Sequence, residues 1–569
     1  MKPWSQRHAL APSDGSLARA VFLLLLAVYL ATFNGLPAGP DGEVSFQTTS
    51  ALYRTGSLAI GGTPEAEGLI AFAESQPPGG FSVRRGVGEG EPRYYGWFGV
   101  AHPIVDLPLY ALGHLTARLG SVTQTLHEAD ERYGVGRSEY FEHLFVGLRN
   151  PLLAAWTGLL IVLIARRLGV ARSATFAAGL GYGLATFALA QARGWFGDVQ
   201  GAFALCAAFY LLLVLRERFT RKNAALFGGA LALAFLTRVA LLPAVLVFDL
   251  ALVWLARELR HPRFAPEEGT TMKRVFLAAA APQVIGLALF LLANQLRFGN
   301  PLDSGYDIAI AGGLFGGDPL RAALAFLVSP SKGLVWMAPG LLLLGFGVRR
   351  ALREGEESLV WIVFAVTGSV VLPILFFVGW HGAWSYGPRY LLPALPLLWS
   401  LAALGFQRSD VDPRLRPLAW AALAMGLLTQ LPGAFVDTTT YHELAVAAAE
   451  ERFEVPEEGT DADRAARRFE ALQWDWGFGA PWVHWRILRH RVAMAGAPGP
   501  AAERMPAAEL FRWPTQSALE PAQARERGFQ HMAWVDLRKR LDGVVWPGMG
   551  LIALLILFGI VESVRGLDP

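Results

Sequence analysis

Residues 17–43 read LARAVFLLLLAVYLATFNGLPAGPDGE. The first part is an apolar run of the length needed to cross about 30 Å of hydrocarbon, roughly 20 residues. Where the chain would leave the membrane stands a pair of carboxylates, Asp41 and Glu43, read here as part of a Pro40-Asp41-Gly42-Glu43 turn. Working outward from this stretch, most of the other unusual polar residues of the chain can be placed on the side of the bilayer where Asp41 emerges. Such an arrangement suits a membrane-embedded site that opens outward.

Composition agrees with a membrane class. The chain is 53% hydrophobic and only 17% charged, with mean hydropathy +0.36, whereas soluble domains carry about 25% charged residues. A net charge of +3 over 569 residues is no nucleic-acid signal. The single cysteine, Cys206, lies in an apolar run and can form no intrachain disulfide.

Hydropathy predicts an all-α polytopic membrane protein with about twelve transmembrane helices, near 17–36, 144–165, 173–192, 199–215, 223–237, 239–256, 275–293, 333–348, 358–378, 390–406, 417–436 and 544–562. The segments 223–237 and 239–256 are short and are expected to break around Arg238. With the N-terminus inside, the loops 166–172, 216–222, 257–274, 349–353 and 407–416 hold eighteen Lys and Arg, against six in the short outer turns and 294–332. The positive-inside rule therefore predicts a multi-pass protein of the cytoplasmic membrane, with both termini cytoplasmic and the site facing the periplasm or exterior. The first helix is expected to be a retained anchor rather than a cleaved signal peptide, because 36–39 offers no clear small-x-small cleavage site.

Three regions follow. Residues 1–436 form the transmembrane domain, whose long outer loop 37–143 carries an amphipathic piece, Ile104 to Leu119, expected to lie along the interface. Residues 437–543 form an outer segment with an aromatic cluster from Trp474 to Trp485, and 544–569 the last span and tail. No internal repeat is found.

The outer turns collect Asp41 and Glu43; Tyr94, Tyr95, Trp97 and His102; Arg193 and Asp198; Arg238; Asn294, Arg297, Asn300, Asp303 and Tyr306; Lys332; and Trp380, His381, Trp384, Ser385, Tyr386 and Arg389. Ionisable groups at helix ends on one face predict a polar cavity at the bilayer surface rather than a channel. The bland readings are a turn role for Asp41, a capping role for His102, and an aromatic belt for Trp380, Trp384 and Tyr386. Arg389 at a helix start opposes the helix dipole, which favours an anionic partner.

Several stretches resemble the GT-C glycosyltransferase superfamily, of the protein O-mannosyltransferase and lipid A aminoarabinose transferase type. They are Pro40 to Glu43, Tyr94 to Pro103, Ala230 to Arg238 (ALALAFLTR), Asn294 to Tyr306 (NQLRFGNPLDSGY), Ser329 to Gly333 (SPSKG) and Ser385 to Pro396 (SYGPRYLLPALP), within residues 17–436. Where protein O-mannosyltransferases tend to have His-Pro-Pro, this chain has His102-Pro103-Ile104. The segment 437–543 has no match.

The resemblance implies transfer of a sugar from a polyprenyl-phosphate carrier to an envelope acceptor, a lipid, glycan or protein, usually with inversion. Asp41 is then the expected base, and Glu43 is expected to position it, or the acceptor, or a divalent ion such as Mg or Mn. Arg389, Arg238 and Lys332 are expected to meet the donor phosphate. Tyr94, Trp97, His102, Asn294, Tyr306, Trp380, His381 and Tyr386 are expected to line the substrate. The alternatives are a lipid or sugar transporter, which repeats and midplane polar residues would favour, and a non-catalytic envelope assembly subunit, which would not need Asp41.

Overall fold

The computed structural model describes residues 10–33, 35, 40–76, 81–88, 92–119, 139–259, 271–306, 310, 313, 315–383, 385–436, 438–453, 461–494 and 545–567. The residues 36–39 weighed for cleavage, Trp384, and parts of the 437–543 segment lie outside them. Among the described residues, eight helices are long and apolar enough to cross a membrane: Pro12–Thr32, Tyr140–Arg167, Asp198–Glu217, Val239–Arg257, Met272–Phe298, Glu357–Leu375, Pro413–Phe435 and Met549–Leu567.

The other expected spans are shorter or broken. The chain at 173–192 forms Arg172–Leu184 and a short turn of helix, Ala188–Gln191. The segment 333–348 divides into Leu334–Met337, a 3-10 stretch Pro339–Leu343, and Leu344–Arg353. Proline supplies no backbone N–H at this break, and Gly340 passes so close to Trp399 that a Cβ there would stand 2.3 Å from the indole. The break expected at Arg238 is present: Arg221–Thr237 ends there, Arg238 is extended with φ −150°, and a 3-10 turn leads into Leu242–Leu259.

One end of the bundle is laced by the arginines assigned to the inner face. Arg166 and Arg172 reach Asp14 at 2.7 and 3.7 Å, Arg167 reaches Glu217 at 3.1 Å, and Arg216 reaches Glu356 at 2.5 Å. Glu217 ends the helix that Asp198 begins, so Asp198 stands at the opposite end. The last helix, Val545–Leu567, runs antiparallel against Pro12–Thr32, with Arg19 and Glu562 2.8 Å apart. Its Gly559 and Gly566 sit against Leu24 and the backbone of Leu17, the close approach that small residues permit between spans.

The outer loop departs from an all-helical expectation. Pro40–Thr55 is a helix rather than a turn; a proline at the start and acidic residues in the first turn are helix-opening features. A three-stranded antiparallel sheet of order β1-β3-β2 follows, made of β1 (Ala59–Ile60), β2 (Val83–Gly86) and β3 (Arg93–Gly96), with Ala59 opposite Tyr95 and Val83 opposite Gly96. Val and the paired tyrosines favour strands, a preference masked in the sequence by the charged and glycine-rich surroundings. The amphipathic piece is the helix Ala101–Ala117.

Buried polar bonds fix this loop to the bundle. Glu139 accepts from Tyr110 at 2.5 Å and Ser50 at 2.9 Å, and pairs with Arg54 at 2.5 Å. Asp106 and Arg149 pair at 2.6 Å, both buried. Breaking such a pair on one side would leave an uncompensated buried charge, which costs about 3–5 kcal/mol.

Candidate active site

The first two turns of Pro40–Thr55 deliver Asp41 and Ser45 to a cavity of about 650 Å³ at the end of the bundle away from Arg167. The Ser82 hydroxyl, just ahead of β2, donates to Asp41 Oδ1 at 3.0 Å. Asp41 keeps 38% of its side chain exposed, so its second oxygen remains open to the cavity. On a helix, residues two apart point to nearly opposite sides. Glu43 therefore faces away from the cavity, where His143 Nε2 lies 3.1 Å from its oxygens and Gln47 Nε2 donates to it at 2.8 Å.

Asp198 opens the helix Asp198–Glu217 and is buried in the cavity wall, where it pairs with Arg238. The turn before it is held from behind. Arg149 Nη2 donates to the Trp195 carbonyl at 3.0 Å, and Asn150 Nδ2 donates to the carbonyls of Gly194 and Phe196 at 2.6 and 3.0 Å. This fixes Phe196 under Arg389, whose guanidinium carbon lies 4.0 Å from the ring centroid.

Arg389 follows a tightly bound loop. Lys332 Nζ donates to the carbonyls of Ser385 and Gly387 at 2.6 and 3.2 Å, and Gln191 Nε2 donates to that of Tyr386 at 2.7 Å. The loop contains left-handed residues Gly382, Ala383 and Gly387; Ala383, with φ 48°, is the one non-glycine residue with positive φ among the described residues. Lys332 is thus a brace outside the cavity, and burial, with the charge of Arg389 next, lowers its pKa well below the ordinary lysine value. Expected as a phosphate contact, it instead saturates backbone acceptors that would otherwise be buried unpaired.

Tyr390 stands between the two cavity arginines. Arg238 and Arg389 each lie 4.9 Å from its ring centroid. Arg389 Nη2 reaches the Tyr390 hydroxyl at 3.1 Å, its Nε is buried with no partner among the described residues, and Asp41 is 3.9 Å away. Arg238 is already matched by Asp198. Arg389 keeps hydrogen-bonding capacity for an anionic ligand.

The motif Asn294 to Tyr306 forms the opposite wall. Arg297 Nη1 donates to the carbonyls of Gly96 and Phe98 at 2.8 and 2.9 Å, and its Nη2 donates to Asn294 Oδ1 at 2.8 Å. Trp97, held between those two carbonyls, stacks on Tyr306 with centroids 5.2 Å apart. Asn294 therefore supports the wall and does not line it. His102 does line it, buried, with both ring nitrogens lacking a partner among the described residues. Burial, then the charges of Arg149 and Arg238, holds its pKa well below the ordinary histidine value.

The remaining expected substrate residues lie elsewhere. Tyr94 bonds Glu74 on the outer face of the sheet. Trp380 packs edge-on against Phe326 at 5.5 Å, His381 against Phe469 at 4.9 Å, and Tyr386 donates to the Thr429 carbonyl beneath the C-terminal outer segment. Phe196 and Tyr390 are not among the residues the sequence points to, and Asp198, gathered there with the outer polar groups, is given no role by it. Gly197-Asp198 at the head of an apolar run was a visible signal; the ring positions of Phe196 and Tyr390 had none. The far wall is apolar, formed by Leu242, Pro243, Ile310, Phe315, Pro373, Ile374 and Phe377. Leu242, Ile310 and Phe315 keep 39, 49 and 49% of their surface exposed.

A scan against protein-family models finds no match, and neither does a search of the curated proteins. Among solved structures, the chain is similar to ArnT from Cupriavidus metallidurans bound to undecaprenyl phosphate, at 14% identity and TM-score 0.42 over 96% of this chain and 77% of that one. It is also similar to the Archaeoglobus fulgidus oligosaccharyltransferase in the apo form, at 12% identity and TM-score 0.39 over 82% of this chain and 64% of that one.

Proposed function

We propose that this protein is a membrane glycosyltransferase that moves a sugar from a polyprenyl-phosphate carrier to the hydroxyl of an envelope acceptor. The observation that carries the reading is the pairing of Asp41 with Arg389 across 3.9 Å in a cavity whose other wall is apolar and includes the partly exposed Leu242, Ile310 and Phe315. A lipid-linked donor has matching parts: an anionic head and an apolar tail that stays in the bilayer.

In the proposed reaction the acceptor oxygen attacks the anomeric carbon while Asp41 removes its proton, and the bond from that carbon to the phosphate oxygen breaks. Attack opposite the departing phosphate inverts the centre. The developing charge on the phosphate falls to Arg389, with Arg238 as a second cation whose position Asp198 fixes. The faces of Trp97 and Tyr306 supply the wall against which the sugar is held. Positioning is the main contribution of the remaining side chains.

A divalent cation bridging Asp41 and Glu43 does not fit this geometry, because the two carboxylates point apart and Glu43 is engaged by His143 and Gln47. Among the described residues, no group of three or more His, Cys, Asp or Glu converges as a metal site. No step of the proposed reaction is routed through a metal.

The cavity is assigned to the periplasmic or outer face on the eighteen-to-six distribution of Lys and Arg. Labelling of a cysteine introduced at Arg349 from outside sealed cells would reverse that assignment. The function itself is tested with purified protein in detergent and defined donors. Transfer from a polyprenyl-phosphate sugar is the expected result; robust transfer from a nucleotide sugar, with none from the lipid-linked donor, would overturn the proposal.

A further inference from the structure

A second cavity, of about 500 Å³, lies on the C-terminal outer segment and shares no lining residue with the first. It is lined by Trp476, Trp482, Trp485, Arg486 and Arg489. The last four belong to the helix Ala480–Met494, at the i, i+3, i+4 and i+7 spacing that places them on one face. His484 and Ile487, on the other side of the same helix, are buried in the protein.

The floor is built of aromatic rings. Trp336 packs edge-on against Trp476 and Trp482, with centroids 5.4 and 5.9 Å apart. Trp485 Nε1 donates to the Leu428 carbonyl at 2.7 Å, and Leu428 projects from the exposed apolar face of the span Pro413–Phe435. Leu428 precedes the outer end of that span by seven residues, or roughly 10 Å at 1.5 Å per residue. The cavity thus begins at the depth where acyl chains meet headgroups, a level suited to tryptophan and arginine. Trp476 remains 57% exposed.

The charge of the cavity is positive. Arg486 Nη1 donates to the Gly477 carbonyl at 3.2 Å, which sets its side chain against the rim, and Arg489 is exposed. None of the lining residues is acidic.

The geometry points to a binding site for the phosphate headgroup of an anionic phospholipid from the surrounding leaflet, held by Arg486 and Arg489 with its glycerol and upper acyl region against the three tryptophans. This site is independent of the proposed transfer reaction. A free sugar would use the rings without needing two cations, and a free phosphate would use the cations without needing the rings or the exposed flank of a span.

The test is native mass spectrometry of the purified full-length chain after exchange into detergent with phosphatidylglycerol or phosphatidylethanolamine. The expected result is retention of phosphatidylglycerol at least about tenfold above phosphatidylethanolamine, a free-energy difference of about 1.4 kcal/mol. Arg489→Gln and Arg486→Gln should each reduce that preference, with the melting temperature of Arg489→Gln unchanged. Equal retention of the two lipids would overturn the site. So would an unchanged preference in both variants, or displacement of the lipid by millimolar inorganic phosphate alone.

Discussion

Asp41 and Arg389 face each other across 3.9 Å, too far for a hydrogen bond and near enough for each charge to orient the other. They come from helix and loop segments far apart in the chain, and each is braced by its own partners, Ser82 for Asp41 and the Lys332-bound loop for Arg389. Both line the same cavity, so an acceptor and a departing phosphate bound there would lie beside the pair.

Asp41→Asn keeps the shape and the Ser82 contact but removes the basic oxygen. The variant should insert and melt as the parent does, while kcat falls by about 10² to 10⁴, the range for a positioned general base. Turnover within a few fold of the parent would exclude Asp41 from that role.

Arg389→Lys keeps a positive charge but loses the planar group that lies over Phe196 and Tyr390. Donor KM should rise by about tenfold while acceptor KM changes little, because a point charge cannot hold a phosphate through a fixed fork. Initial-rate measurements with each substrate varied in turn separate the two effects.

Lys332→Met should act through the same loop without touching substrate. It leaves the carbonyls of Ser385 and Gly387 without their ammonium donor, and a buried unpaired acceptor costs about 1–3 kcal/mol. A lower melting temperature together with weaker donor use is expected. Loss of stability with donor KM unchanged would show that the brace does not reach Arg389.

Acid should loosen the C-terminal outer segment. His442 and His484 are buried, and their Nδ1–H groups donate to the carbonyls of Thr438 and Ala480 at 2.7 Å. Burial lowers the pKa of His442 well below 6.5 and that of His484 to about 3. Both groups bind protons more readily in the unfolded chain, so their contribution is fully present above 6.5 and is lost as pH falls below it. One unit below 6.5 the two together should cost roughly 3 kcal/mol, at about 1.4 kcal/mol per group per pH unit. Melting in detergent at pH 7.5 and 5.5 reads the loss, and His442→Gln with His484→Gln should flatten it.

The bundle was legible because hydrocarbon demands long apolar runs, and the break at Arg238 was marked by a charge between two short ones. Asp41, Trp97, His102, Arg238, Tyr306 and Arg389 are brought to one cavity as their placement at outer helix ends implied. A turn at Pro40 to Glu43 would keep the two carboxylates together, whereas in the helix Pro40–Thr55 the two-residue spacing turns Glu43 away from Asp41. Lys332 and Asn294 look like ligand contacts in a sequence because nothing there reveals which backbone carbonyls lack donors. That demand exists only once the loop at 385–389 and the strand end at Gly96 have been folded against them.

The pairing of the first and last helices bears on how the protein is made. Arg19 and Glu562 are separated by 543 positions in the chain, yet Gly559 and Gly566 seat the last helix directly on Leu24 and Leu17. The flank of the first helix that carries Leu17 and Leu24 would face lipid until the helix Val545–Leu567 has been made and inserted beside it. A chain lacking residues 545–567 would leave that flank uncovered, exposing to lipid a surface that the paired form does not present.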